Sequence, residues 1–364
     1  MSSHTTLLAA VVTIVTSGPL IAQVTFRGFG YPTAYITGIS ADRTIIVGQM
    51  IGLPLTDGFR WTAAGGLERI GGTGAYGISR DGRTIVGSVR DQNLREIAAI
   101  WQGGTTWRQL GGVPGGRPDP IKGILSTANS VSADGSVIVG LAYDENLRAV
   151  GFRWTEATGM VNLGPSGKGD QQTALAVSAN GSVIVGRDKD SRNLVTPGGF
   201  RGYVHYDGEL HLLHAFGWAG AALRTNHDGS IIVGEGPPIN ASAAHGGTMY
   251  RYTAWDGRFY DLGAVWPGIP LNNVEEYQSR PYGLSDDGSI VAGETGGVNT
   301  TYAMIWTEES GAVYLHEYLT SKGVTAHQGW YLQAVYYVSP DGKVLAGYGT
   351  NPRNVPESWI VTLP

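Results

Sequence analysis

The sequence has no cysteine, little charge and no long apolar run. Without cysteine there are no disulfides, no thiolate nucleophile and no cysteine-ligated zinc. Charged residues are only 15% of the 364, 25 basic against 30 acidic, and Lys and Arg never cluster. The electrostatic footprint of a nucleic-acid binder is therefore missing. Little charge combined with 10% aromatic residues also argues against a disordered chain. The apolar segment Leu7–Thr16 (LLAAVVTIVT) is too short for a ~30 Å hydrocarbon core. It does fit the core of an export signal, broken by Ser17-Gly18-Pro19 and followed by the small Ala22. The stretch before it holds His4 and no Lys or Arg. Residues 1–22 are expected to be a signal peptide. The mature chain, 23–364, is then secreted or periplasmic, a single domain with no membrane span.

What the chain has in excess is glycine: 56 residues, with 17 prolines, together about a fifth of the total. No Gly-X-Y period accompanies them, which excludes collagen. Ten Trp and 18 Tyr beside so many glycines point to short strands and tight turns.

One unit recurs seven times: ISADRTIIVG (39–48), ISRDGRTIVG (78–87), VSADGSVIVG (131–140), VSANGSVIVG (177–186), TNHDGSIIVG (225–234), LSDDGSIVAG (284–293) and VSPDGKVLAG (338–347). The closing glycines are 39 to 59 residues apart. After each copy comes an aromatic strand such as GFRW (58–61) or AMIW (303–306), then a glycine turn and a short strand such as LERIGG. One unit thus reads as four strands, A to D, with the Asp-Gly turn between A and B. Both central residues of that turn are expected at positive φ. The B strands are unbroken aliphatic runs, which implies burial on both faces. A four-stranded sheet buries both faces only between neighbours, so a β-propeller is expected. The segment from Val24 reads as a D strand and that from Ser358 as a C strand. The expected fold is therefore all-β: a seven-bladed propeller of four antiparallel strands per blade, closed by the N-terminal strand pairing with the C-terminal blade.

The Ser-x-Asp-Gly-x-x-Ile-Val-Gly signature, the Phe-Arg-Trp or Ala-x-Ile-Trp strand and the Leu-Gly ending resemble the HAF-repeat family of secreted bacterial proteins, over roughly residues 24 to 361. The aromatic strand departs from the family's His-Ala-Phe. Val338-Ser-Pro-Asp-Gly-Lys is also similar to propeller repeats of the TolB type. The resemblance implies export and a propeller, and carries over no catalytic residue.

Binding is expected where loops vary on a rigid scaffold, on the face built from D–A and B–C loops. The residue after each B-strand glycine points there: Gln49, Ser88, Leu141, Arg187, Glu235, Glu294 and Tyr348. Arg187, Glu235 and Glu294 then align on three consecutive units, as an acid/base or anion-recognition group or as a strand-end salt bridge. Trp218, Trp266 and Trp330 fall in the D–A loops of the same sector, with Tyr277, Arg280, Tyr282, His327 and Tyr331 in or beside them. Aromatic platforms beside charges suit sugar rings; long loops also need aromatics as anchors. Trp61, Trp101, Trp154, Trp255, Trp306 and Trp359 recur on C strands and read as packing. Arg224 stands where other A strands carry Gly, Ser or Ala. His205, His211 and His214 read as cross-strand packing, and neither metal nor cofactor is expected.

Three readings stay open. The first is a binding module for an extracellular ligand, glycan or protein, using Arg187, Arg224, Arg280, Trp218, Trp266, Trp330, Tyr277 and Tyr331. The second is a lyase or glycoside hydrolase acting on an acidic polysaccharide, with Glu235 and Glu294 as acid/base pair assisted by Tyr282 or His327. The third is a structural scaffold.

Overall fold

A computed structural model describes residues 23–52, 56–164, 171–189, 200–213, 220–236, 248–254, 256–263, 278–297 and 300–364. Almost everything described is antiparallel sheet in groups of four strands. Two such groups, in units three and four, are joined into an eight-stranded sheet by the single parallel bridge Ala149–Gln171. The innermost A strands are Ala34–Ile39, Gly74–Ile78, Ser126–Val131, Gln171–Val177, Ala221–Thr225, Gln278–Leu284 and Tyr331–Val338. In the last unit the strand Thr25–Pro32 lies outermost, pairing antiparallel with Pro356–Thr362 from Thr25–Thr362 to Gly28–Trp359. A short helix, Leu315–Ser321, interrupts the strand pattern after unit six, with Leu315 and Leu319 fully buried. The repeat gives no sign of it.

The repeat signature has a geometric cause. In every unit the A strand carries a bulge against its B strand, as between Ile36 and Gly38 or Pro281 and Gly283. The A-strand carbonyl before the bulge is pushed onto the B strand. At Gly48, Gly87, Gly140, Gly186, Gly234, Gly293 and Gly347 that oxygen sits 1.8–2.2 Å from where a Cβ would be. No side chain fits, so each copy ends in glycine. Gly283 on an A strand is confined too: its Cβ would lie 2.9 Å from the backbone nitrogen of Val338 on the next A strand. Inner strands packed this closely leave room for little more.

The Ser and Asp of the signature fold the A–B turn. Ser132 Oγ donates to Asp134 Oδ1 at 2.6 Å and accepts the buried Val137 amide at 3.0 Å. Asp134 Oδ1 in turn accepts the Ser136 amide at 3.0 Å. The same set recurs at Ser40/Asp42, Ser79/Asp81, Ser178/Asn180, Ser285/Asp287 and Ser339/Asp341. Only the glycine after Asp takes positive φ, for example 77° at Gly135, with Arg43 at 62° in the first unit. The expected pair of positive φ values does not hold for these turns. The Asp is an Asx-type cap, not a left-handed residue. Both residues are left-handed at Asp207-Gly208, with φ of 52° and 80°, in a C–D hairpin.

Neighbouring sheets are held by two layers. Apolar clusters fill the gaps between them: Val47 and Ile70 meet Ala75, Ile85 and Trp101, and Ile36 and Phe59 meet Phe29, Val344, Ala346 and Ile360 of the last sheet. Trp359 is fully buried, and Trp107 Nε1 crosses to Ile70 O at 2.7 Å. At the turn end, hydrogen bonds run from unit to unit: Ala41 N to Arg80 O, Arg80 N to Ala133 O, Ala133 N to Ala179 O and Asn180 N to His227 O, at 2.8–3.1 Å. Asn226 Nδ2 reaches Asp286 O, Asp286 N reaches Pro340 O, and Tyr337 OH returns to Ile39 O. The Arg43–Asp341 ion pair also joins the first and last units.

Candidate functional site

The A strands surround a line of three cavities. The middle one, about 180 Å³, is lined by residues of all seven A strands, among them Thr37, Tyr76, Asn129, Leu175, Arg224, Tyr282 and Tyr336. Toward the loop end it continues into a space of about 420 Å³ walled by Tyr35, Gln49, Tyr76, Asn129, Arg224 and Tyr336. Toward the turn end lies a space of about 170 Å³ that includes Arg80 and Asp286. Those two side chains form an ion pair between units two and six.

The bulges decide what lines this axis. Each pushes one A-strand residue out of register, and Thr37, Tyr76, Asn129 and Tyr282 are such residues. The loop end is rich in tyrosine. Tyr35 and Tyr348 stack with ring centroids 4.0 Å apart, and Tyr282 lies 5.4 Å from Tyr336. Burial first, then Glu294 and Tyr35, pushes the Tyr336 hydroxyl up to about 12.

A charged cluster adjoins the wall. Arg280 Nε contacts Glu235 Oε2 at 2.6 Å, its Nη1 lies 3.5 Å from Glu294 Oε1, and its Nη2 donates to Gln278 Oε1 at 2.6 Å. Tyr282 OH donates to the same Glu294 oxygen at 2.8 Å. Burial alone would lower the Arg280 guanidinium, but Glu235, then Tyr282 and Glu294, hold it above its ordinary value. Burial and then the Glu294 charge raise the Tyr282 hydroxyl, so it stays a neutral donor. Glu235 and Glu294 do occupy the equivalent positions expected of them, opposite Ala221 and Arg280. Arg187 has the same register, opposite Thr173, but its guanidinium lies over the Phe200 ring at 4.8 Å. The carboxylates pair with Arg280, and no described contact joins them to Arg187.

Arg224 differs from Arg280. Its Nη1 donates to Leu223 O at 2.7 Å, and among the described residues it pairs with no carboxylate. Burial lowers its pKa, opposed only by Tyr282.

His327, expected as a catalytic assistant, is fully buried away from this cluster. It packs edge-on against Phe26 and His316, with Nε2 3.2 Å from the Thr320 hydroxyl. Trp330 is half-buried edge-to-face on Phe26, ring centroids 5.3 Å apart, and is no open platform. Tyr331 spends its hydroxyl on Thr301 O at 2.7 Å. His327 and Trp330 do lie in the expected loop, which starts as helix and packs against the outermost strand, while Tyr331 opens the A strand Tyr331–Val338. Trp218, Trp266 and Tyr277 lie outside the described residues. Sequence reasoning missed Tyr35, Tyr76 and Tyr336, and placed Tyr348 at the loop-rich face without giving it a role. Aligning the A strands on the residue before Gly38, Gly77 and Gly283 would have drawn attention to Tyr76 and Tyr282.

No family model matches the chain, and no curated protein matches it. Solved structures do. An oligogalacturonate lyase from Vibrio parahaemolyticus is similar at 11% identity, over 94% of this chain and 98% of that one, with a TM-score of 0.57. The β-propeller domain of the Trilobed protease from Pyrococcus furiosus is similar at 11% identity, over 91% and 94%, with a TM-score of 0.55. At such identity the likeness establishes fold alone: the chain is an all-β protein of the β-propeller type. Among the described residues no helix is long and apolar enough to cross a membrane.

Proposed function

We propose that the chain is an exported, single-domain, seven-bladed propeller that binds an extracellular glycan at the loop end of its axis. Seven sets of inner strands around one line of cavities support the blade count. The pairing of Thr25–Pro32 with Pro356–Thr362 and the bonds between first and last units support closure. The Leu7–Thr16 segment and the HAF-type signature support export.

The glycan reading is carried by the loop-end cavity, where Tyr35, Tyr76 and Tyr336 offer apolar faces beside the polar groups of Gln49, Asn129 and Arg224. Ring faces stack on sugars while hydroxyls and amides take their hydroxyl groups. The turnover reading is weaker because Arg280 occupies the space between its two candidate carboxylates. A free acid/base pair requires both to face substrate.

Screening the purified protein on a glycan array, with parallel assays for new reducing or unsaturated sugar ends, tests both readings. Binding without new ends is the expected result. Tyr336→Ala and Tyr35→Ala should each weaken the bound glycan about tenfold. Unchanged affinity in both variants would remove the site from the axis, and sustained release of sugar ends would replace the binding module with an enzyme.

A further inference from the structure

The A-strand position of Arg224 is occupied by Gly38, Gly77, Ser130, Ala176 and Gly283 in five other units. Small residues are the rule there because the inner strands crowd the axis. The last unit places Tyr337 at this position, and its hydroxyl finds Ile39 O at 2.8 Å. Arg224 has no comparable settlement. One guanidinium nitrogen is engaged by the neighbouring carbonyl, and the side chain lines both the middle and the loop-end cavities. Tyr336 lines the same two cavities, and its hydroxyl has no hydrogen-bond partner among the described residues.

A guanidinium cannot shed its proton to escape burial. Arg224 is half-buried with no counter-charge among the described residues, and an anion beside it would supply one. The carboxylates of the neighbouring cluster are taken: Tyr282 donates to Glu294, and Arg280 pairs with Glu235 and flanks Glu294. The Arg80–Asp286 pair spans the turn-end cavity, whereas Arg224 itself lines the loop-end cavity, so the loop end gives an ion the direct approach.

We propose that Arg224, with the Tyr336 hydroxyl, makes the axial cavity an oxyanion site. Its occupant is a small oxyanion group, either the carboxylate of an acidic sugar lowered in from the loop end or a free inorganic phosphate. The choice of an acidic sugar rests on the glycan reading above; the anion site itself does not. Guanidinium and carboxylate or phosphate oxygens pair through charge-assisted hydrogen bonds, with Tyr336 adding a neutral donor.

Calorimetric titration of the full mature chain with a uronic-acid tetrasaccharide, its methyl ester and inorganic phosphate tests this. The ester removes the charge and keeps the sugar, so the comparison needs no substitution. The acid should bind at least about tenfold tighter than the ester. Arg224→Met should erase that difference while melting no lower than the parent, and Arg224→Lys should retain part of it. Equal binding of acid and ester, unchanged in Arg224→Met, overturns the oxyanion site and leaves the glycan reading standing. Phosphate bound only when residue 224 is cationic, with neither sugar bound, upholds the oxyanion site and counts against the glycan. No binding of any of the three overturns the oxyanion site.

Discussion

The two ends of the axis are built on opposite plans. At the turn end, Ser and Asp are repeated from unit to unit and are spent on one another and on their own turn amides, while the residue between them bonds to the next turn's backbone. At the loop end the units disagree. Equivalent B-strand positions carry Gln49, Ser88, Leu141, Arg187, Glu235, Glu294 and Tyr348, and Arg187 and Arg224 have no carboxylate partner among the described residues. Repetition in this chain marks what holds the sheets; departure from repetition marks what is free to meet a ligand.

Changes to the repeated parts should therefore cost stability and leave ligand affinity alone. The largest effect is expected of Gly293→Ala, whose Cβ would fall 1.8 Å from Arg280 O. Backbone must move, and a loss of about 4 kcal/mol or more in chemical denaturation is expected; a loss below about 1 kcal/mol would refute the steric account of the repeat glycine. Acid should come next, because the turns titrate together. Asp42, Asp81, Asp134 and Asp228 are held below their ordinary 3.8 by the hydroxyls of Ser40, Ser79, Ser132 and Ser230, then by amides of the turn. Groups with depressed folded values stabilise fully above the unfolded value and lose that contribution as pH falls through the folded one. The thermal midpoint should hold from neutral down to about pH 4 and drop below it; a midpoint that falls already near pH 6 would point to histidine instead.

Ser132→Ala leaves the buried Val137 amide without its acceptor. It should cost about 1–3 kcal/mol, read by urea unfolding, with glycan binding unaltered. Smallest is Arg108→Ala, which breaks the exposed bidentate pair with Glu156 at 2.8 and 3.0 Å. It should leave the unfolding midpoint within error. A clear drop would mean that surface ion pairs, and not the turns and glycines, hold the sheets together.

The same division explains how much could be read in advance. Strand order, the B-strand burial and the packing role of Trp101, Trp154 and Trp359 were legible, because a copied residue reports a copied environment. The role of the Asp in the turns was misjudged, since Asp-Gly serves both an Asx-capped turn and a left-handed hairpin. That His327 and Trp330 fold onto the outermost strand was not legible, because their segment has no counterpart in other units, and Tyr331 turns its hydroxyl to Thr301. Glu235, Glu294, Arg280 and Tyr282 were found as a sector and a strand-end salt bridge was among the readings, yet with Arg187 rather than Arg280 as its cation. Which of two arginines a carboxylate chooses depends on side-chain reach across strands, which spacing does not encode. The axial tyrosines were hidden for a related reason: a bulge alters which face a strand residue presents, and alternation alone does not register it.

The salt link between Arg80 and Asp286 crosses the turn end of the axis between units two and six. A polymer drawn through the axis would have to part that link, whereas a chain end or side branch entering at the loop end would reach Arg224 without disturbing it.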